Sequence, residues 1–170
     1  MISHAVRPAV LFEDDVDRTF FLSVVAETVR KLDWTCMEIC LLDTHYHLLV
    51  ETCDWSLSAG MHRINHRHAC RYNARHRRRG HVTEARFYSR RIRTEADLIA
   101  VYGYIARNPV RAGICTRCED WPWGSYSALI KGSERMSFVD PSRVLGCLSD
   151  DRERAIEMLR AYVDGAVMVL

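Results

Sequence analysis

Long hydrophobic runs are missing from this 170-residue chain. None approaches the roughly 20 apolar residues of a membrane-spanning helix, so no membrane span is expected. The opening Met1-Ile2-Ser3-His4 lacks a signal-peptide pattern, which makes a cytoplasmic protein the expectation. Internal repeats and low-complexity tracts are also absent. Lysine is nearly so: of 24 basic residues, only Lys31 and Lys131 are lysine and 22 are arginine. Acids are scarce in the middle of the chain, where 14 arginines between His62 and Arg117 face only Glu84, Glu95 and Asp97. Arginine contacts phosphates bidentately and stacks on bases. With His62, His66, His68, His76 and His81 interleaved, the block points to nucleic acid rather than to an ordinary solvated face.

A chain of this length folds without staples, because it buries about two thirds of its unfolded surface. The seven cysteines are an odd number, lying mostly inside apolar or helical runs. They read as reduced thiols of a cytosolic protein. Cys115-Thr116-Arg117-Cys118, with Cys36 and Cys40 as a second close pair, leaves a structural zinc site open.

Helical spacing of Phe20, Phe21, Val24, Val25, Thr28, Val29 and Leu32 predicts a helix over 13–32, with acids crowding its first turn. Strands follow at 34–42 and 45–52, joined by a short turn into a hairpin. A second helix is expected from a Ser56 or Ser58 cap to about Arg77. On it, Arg63, Arg67, Arg71 and Arg75 recur every four residues as one stripe. Like charges at that spacing repel, by a few tenths of a kcal/mol per pair. A phosphate backbone would reverse the penalty. A further strand is expected at 85–93, exposing Arg86, Arg90, Arg91 and Arg93. Thr94 then caps a third helix that should stop before Pro109. Trp121–Tyr126 reads as an aromatic packing turn, 133–140 as a linker and 150–163 as an acidic amphipathic helix.

Chemistry concentrates at His45-Tyr46-His47. Strand side chains alternate faces, so the two imidazoles point one way, while Tyr46, Leu48 and Val50 point into a core. At about 3.3 Å per residue the histidines stand about 7 Å apart, close enough to hold one divalent ion. Such an ion draws charge from a phosphodiester and lets a nucleophile approach. Tyr104 is that nucleophile, and Asn108, four residues on, can complete the coordination through its amide oxygen. With no thiolate in the pair, a hard or borderline ion is expected.

Cys40–Thr52 resembles the HUH motif of single-tyrosine transposases. Tyr104-Ile-Ala-Arg-Asn-Pro-Val-Arg-Ala-Gly113 resembles the tyrosine helix of their REP-associated branch, and Glu119–Tyr126 the segment that follows it. The resemblance implies an α+β fold of HUH endonuclease type, a ferredoxin-like or RRM-like antiparallel sheet with helices packed on it. Ser3-His4-Ala5-Val6 stands where relatives carry a Ser-Arg-Gly-Asn-like run, so the first strand is expected to be truncated. A catalytic domain over 1–132 and a linker with a helical extension over 133–170 are expected. The resemblance also implies Mg²⁺- or Mn²⁺-dependent cleavage of single-stranded DNA through a 5′-phosphotyrosine, then strand transfer. It assigns His45, His47 and Asn108 to the metal and Tyr104 to the attack, with hairpin DNA as the partner. Arg63, Arg67, Arg71, Arg75, Arg78, Arg86, Arg90 and Arg91 are the candidate DNA contacts, on a monomer or homodimer. Two alternatives stay open: a relative that binds structured DNA without cutting it, and a zinc hydrolase using the two histidines and a carboxylate.

Overall fold

An acid-rich first turn, two β-branched strands and a run of amphipathic segments build an α+β protein. The structure, a computed structural model, describes residues 2–4 by their backbone, and 10–53, 55–83 and 87–165 in full. Among the described residues three strands form one sheet: β1 (Ile2–His4), β2 (Thr35–Leu41) and β3 (His45–Glu51), in the order β1-β3-β2. The helices of the described residues are α1 (Asp15–Lys31), α2 (Leu57–Arg75), α3 (Glu95–Arg111), α4 (Ser125–Lys131), α5 (Ser142–Gly146) and α6 (Arg152–Val163). The chain divides into two compact units, 1–35 with 41–89 and 36–40 with 90–170.

In the first unit, α1 starts where Asp14 accepts hydrogen bonds from the Val16 and Asp17 amides. This is the side-chain satisfaction that free helix-terminal N–H groups demand. A short turn then carries the chain from β2 to β3, closed by the Leu42 amide donating to the His45 carbonyl at 2.8 Å. β1 runs antiparallel to β3, with Ile2 opposite His47, Ser3 opposite Tyr46 and His4 opposite His45. Tyr46 and Leu48 are fully buried, as their face of β3 requires. The Tyr46 ring meets Phe21 of α1 at 4.6 Å, and its hydroxyl donates to Asn65 of α2 at 2.8 Å.

Ser56 occupies the N-cap of α2 without capping it. Its hydroxyl is taken instead by the Trp34 indole N–H at 2.9 Å and by Thr52 at 2.6 Å. Gly60 leaves the space that the Trp34 indole fills: a Cβ there would lie 2.2 Å from the ring. His68, expected as part of the basic block, is a core residue. Its Nε2 lies 2.8 Å from the Leu11 carbonyl, and burial pushes the imidazole below its ordinary pKa.

The second unit is built around α3, with Leu98, Ile99, Tyr102, Ile105 and Ala106 buried along it. Thr94 caps α3 by accepting from the Asp97 amide at 3.1 Å. The helix does not stop at the proline; it runs on to Arg111. Pro109 brings no N–H for the Ile105 carbonyl, yet the turn beyond it is closed by the Ala112 amide on the Asn108 carbonyl and the Ile114 amide on the Pro109 carbonyl, both at 2.9 Å. The Asn108 side-chain amide donates to the Tyr104 carbonyl at 2.8 Å. The segment expected as a linker is integral here. Val139 bridges to Cys36, the Asp140 amide donates to the Cys36 carbonyl at 2.7 Å, and Val144 and Leu159 are fully buried. Arg160 of α6 holds Glu119 at 2.9 Å, and the Arg107 guanidinium donates to the Tyr162 carbonyl at 3.0 Å. The strand expected at 85–93 does not form in its described part: over 87–93 only Tyr88 makes an isolated bridge, and Arg86 lies outside the described residues.

Candidate active site

β3 delivers the histidine pair. His47 is buried at 2% exposure and His45 is half-buried, and their ring centroids stand 5.0 Å apart at 81°. Alternation along the strand brings both rings to one face, nearer to each other than the backbone spacing alone requires. Thr44 Oγ1 lies 3.1 Å from His45 Nδ1.

α3 delivers the phenol. Tyr104 is 40% exposed, whereas Tyr102, two positions earlier and on the other side of the helix, is 1% exposed. Burial drives the Tyr102 hydroxyl well above its ordinary pKa. Tyr102 is therefore a packing residue, and Tyr104 is the one that a substrate can reach. The Arg111 guanidinium lies 5.3 Å from the Tyr104 ring centroid. Two helical turns separate the residues, which puts them on one face. Sequence reading missed Arg111, although its spacing from Tyr104 was the available signal. Asn108 is 8% exposed and spends its amide N–H on the helix backbone, so its oxygen is the end that a cation would meet. The histidine pair belongs to the first unit and Tyr104, Asn108 and Arg111 to the second.

The arginine stripe of α2 has a different setting from the one expected. Arg63 and Arg67 both donate to Glu27 of α1. Arg75 donates to Asp14 at 2.5 and 2.8 Å and to Asp17 at 2.7 Å. The Arg71 guanidinium lies 4.6 Å from the Phe20 ring centroid. The like-charge penalty on α2 is thus relieved by acids of α1, and these four side chains hold the two helices together. The Arg75 guanidinium holds the Asp14 carboxyl down to about 2. Burial works against ionisation of Asp17, but hydrogen bonds from Arg75, His76 and the Glu13 amide outweigh it and keep its pKa below the usual range.

Arg71 and Arg75 of the stripe are nonetheless exposed. Arg77, Arg78, Arg79, Arg90, Arg91 and Arg93 are all exposed. Arg78 also donates to the Tyr72 hydroxyl at 3.2 Å, and Arg90 pairs with Asp97 at 2.8 Å.

Two imidazoles on one strand face suit a divalent ion as two of its ligands. Among the described residues, no group of three or more His, Cys, Asp and Glu side chains could hold a metal. An ion at the pair would take its remaining ligands from another chemistry, such as a side-chain amide or phosphate oxygens. Neither a carboxylate-completed zinc centre nor a four-cysteine site is formed among these residues.

The chain matches the profile of the IS200-like transposases over residues 2–108. That span contains both histidines and Tyr104 and closes on Asn108. Its fold is similar to that of a solved structure of a REP-associated tyrosine transposase bound to a REP hairpin. The TM-score is 0.63, the identity 18%, and 77% of each chain is covered. No functionally curated protein matches the chain.

Proposed function

This chain belongs to the family of IS200-like transposases, and we propose that it nicks and rejoins single-stranded DNA at hairpin ends through a 5′-phosphotyrosine. The observation that carries the reading is the exposed Tyr104 beneath the Arg111 guanidinium, on a helix whose other central tyrosine is sealed. His45, His47 and the Asn108 amide oxygen would hold Mg²⁺ or Mn²⁺, which supplies charge withdrawal from the non-bridging phosphate oxygens.

Tyr104 Oη attacks phosphorus in line with the departing 3′ oxygen. The new Oη–P bond replaces the P–O3′ bond, and the phenolic proton ends on the released 3′ hydroxyl. Arg111 fixes the plane of the ring from above and offers its N–H fork to a phosphate oxygen. Joining is the reverse: a 3′ hydroxyl attacks the phosphotyrosine, and Tyr104 leaves with a proton. No external energy source enters, because one phosphoester replaces another. The exposed Arg77, Arg78, Arg79, Arg90, Arg91 and Arg93 would contact the DNA backbone. The structurally similar REP-associated enzyme was solved with a REP hairpin, which supports hairpin DNA as the substrate class.

The test is a hairpin oligonucleotide incubated with Mn²⁺ and resolved on a denaturing gel. Wild type should give a covalent adduct, and Tyr104→Phe should reduce it on the order of 10³-fold or more. His45→Ala should lose the adduct and keep binding the hairpin. An adduct that survives Tyr104→Phe overturns the assignment. Hairpin binding with no adduct in wild type turns the conclusion to a DNA-holding relative without cleavage.

A further inference from the structure

α2 carries a second set of metal-ligating side chains, away from the strand pair. His62, His66 and Cys70 follow one another at single-turn intervals, and all three are exposed. The His62 and His66 rings are stacked, with centroids 5.6 Å apart and planes within 6°. Cys70 is a free thiol whose Sγ lies 3.6 Å from His66 Nε2. The neighbouring row of arginines would repel a cation, but Arg63 and Arg67 pair with Glu27 of α1 and Arg75 with Asp17 and the N-cap Asp14, which leaves Arg71, over the Phe20 ring, as the cation beside Cys70.

The spacing of nitrogen and sulfur is informative. Zinc binds imidazole nitrogen at about 2.0–2.1 Å and thiolate sulfur at about 2.3 Å, in tetrahedral geometry. Two such bonds at the tetrahedral angle place the donors about 3.6 Å apart. His66 and Cys70 already stand at that separation.

We propose that His66 and Cys70 form a bidentate site for a borderline d-block dication, Zn²⁺ first, on the exposed face of α2. It is a two-ligand chelate, since no set of three or more His, Cys, Asp and Glu ligands converges among the described residues. The remaining positions are open to water or an external donor. Binding replaces the Cys70 S–H bond with a metal–sulfur bond and releases the proton to solvent. Imidazole with thiolate selects Zn²⁺, Ni²⁺ or Cu ions over Mg²⁺ and Mn²⁺, so this site differs in preference from the strand pair.

The experiment is titration of the full chain with Co²⁺ alone, followed by near-ultraviolet absorbance. A thiolate-to-cobalt charge-transfer band should appear and saturate at one equivalent, and Zn²⁺ should bleach it. Cys70→Ser should abolish the band, and His66→Ala should weaken Co²⁺ binding about 10-fold or more. The Cys115→Ser/Cys118→Ser and His45→Ala/His47→Ala double variants should retain it, which separates this site from the other thiols and from the proposed catalytic pair. Absence of the band in wild type, or its persistence in Cys70→Ser, overturns the proposal.

Discussion

At 1% exposure, and with no hydrogen-bond partner for either carboxyl oxygen among the described residues, Glu38 keeps its proton where an unfolded chain would give it up. Burial raises its pKa well above the ordinary 4.5, and the Arg107 charge offsets this only in part. A raised folded-state pKa costs stability as pH climbs past the unfolded value, because the unfolded chain ionises freely and the folded one does not. At pH 4 the acid is mostly neutral in both states and the cost falls to a few tenths of a kcal/mol at most. Glu38→Gln should therefore raise the chain's stability at pH 7, by up to about 3 kcal/mol, since a tenfold change in proton affinity on folding is worth about 1.4 kcal/mol. At pH 4 the variant and wild type should nearly coincide. Denaturant melts at the two pH values check this. A variant less stable than wild type at pH 7 would mean that Glu38 is ionised and held by a partner.

At the level of elements, α3 must approach α6 closely to present Tyr104. Gly103 makes that approach: a Cβ there would lie 2.5 Å from the Tyr162 ring and 3.1 Å from an Arg107 guanidinium nitrogen. Alanine is the better helix former by about 1 kcal/mol. Gly103→Ala should nonetheless destabilise the chain, by about 1–3 kcal/mol, because overpacking outweighs propensity. Thermal melts measure it, and a rise in Tm would sink the close-packing argument. Much of this element level was legible in the sequence. Hydrophobic spacing placed α1, β2, β3 and α2 to within a few residues, and strand alternation put His45 and His47 on one face. The end of α3 was misjudged because the restriction on a residue before proline is a local preference, whereas burial of Tyr102, Ile105, Ala106 and Pro109 on one helix carries α3 on to Arg111. The acid partners of the arginine stripe were not legible in α2 itself. They lie on another helix, with Glu27 meeting Arg63 and Arg67 and Asp14 meeting Arg75. Those numbers run in opposite directions, the mark of an antiparallel helix pair that a reading of α2 alone misses. The helices α4 and α5 are too short for a periodicity to show, and Arg111 stood out only once Tyr104 had a ring to stack on.

For the whole molecule, net charge is only +2, so attraction to a polyanion depends on where cations face solvent rather than on their number. The α2 stripe spends its charge on α1, and the exposed Arg77–Arg79 turn does not. Arg77 sits at φ 52°, a left-handed conformation that costs a bulky side chain roughly 1–2 kcal/mol. Strain of that kind persists where a side chain's direction matters. The two groups of arginines should separate under salt. Each phosphate contact to a single strand contributes about 0.7 to the slope of log K against log salt. Arg77→Ala/Arg79→Ala should flatten that slope by about 1.4 for a hairpin with a single-stranded tail, at little cost in Tm. Arg63→Ala/Arg67→Ala should leave the slope unchanged and lower Tm instead, because Glu27 loses both partners. Equal flattening by the two double variants would return the α2 stripe to the DNA-binding face and make its acid partners incidental.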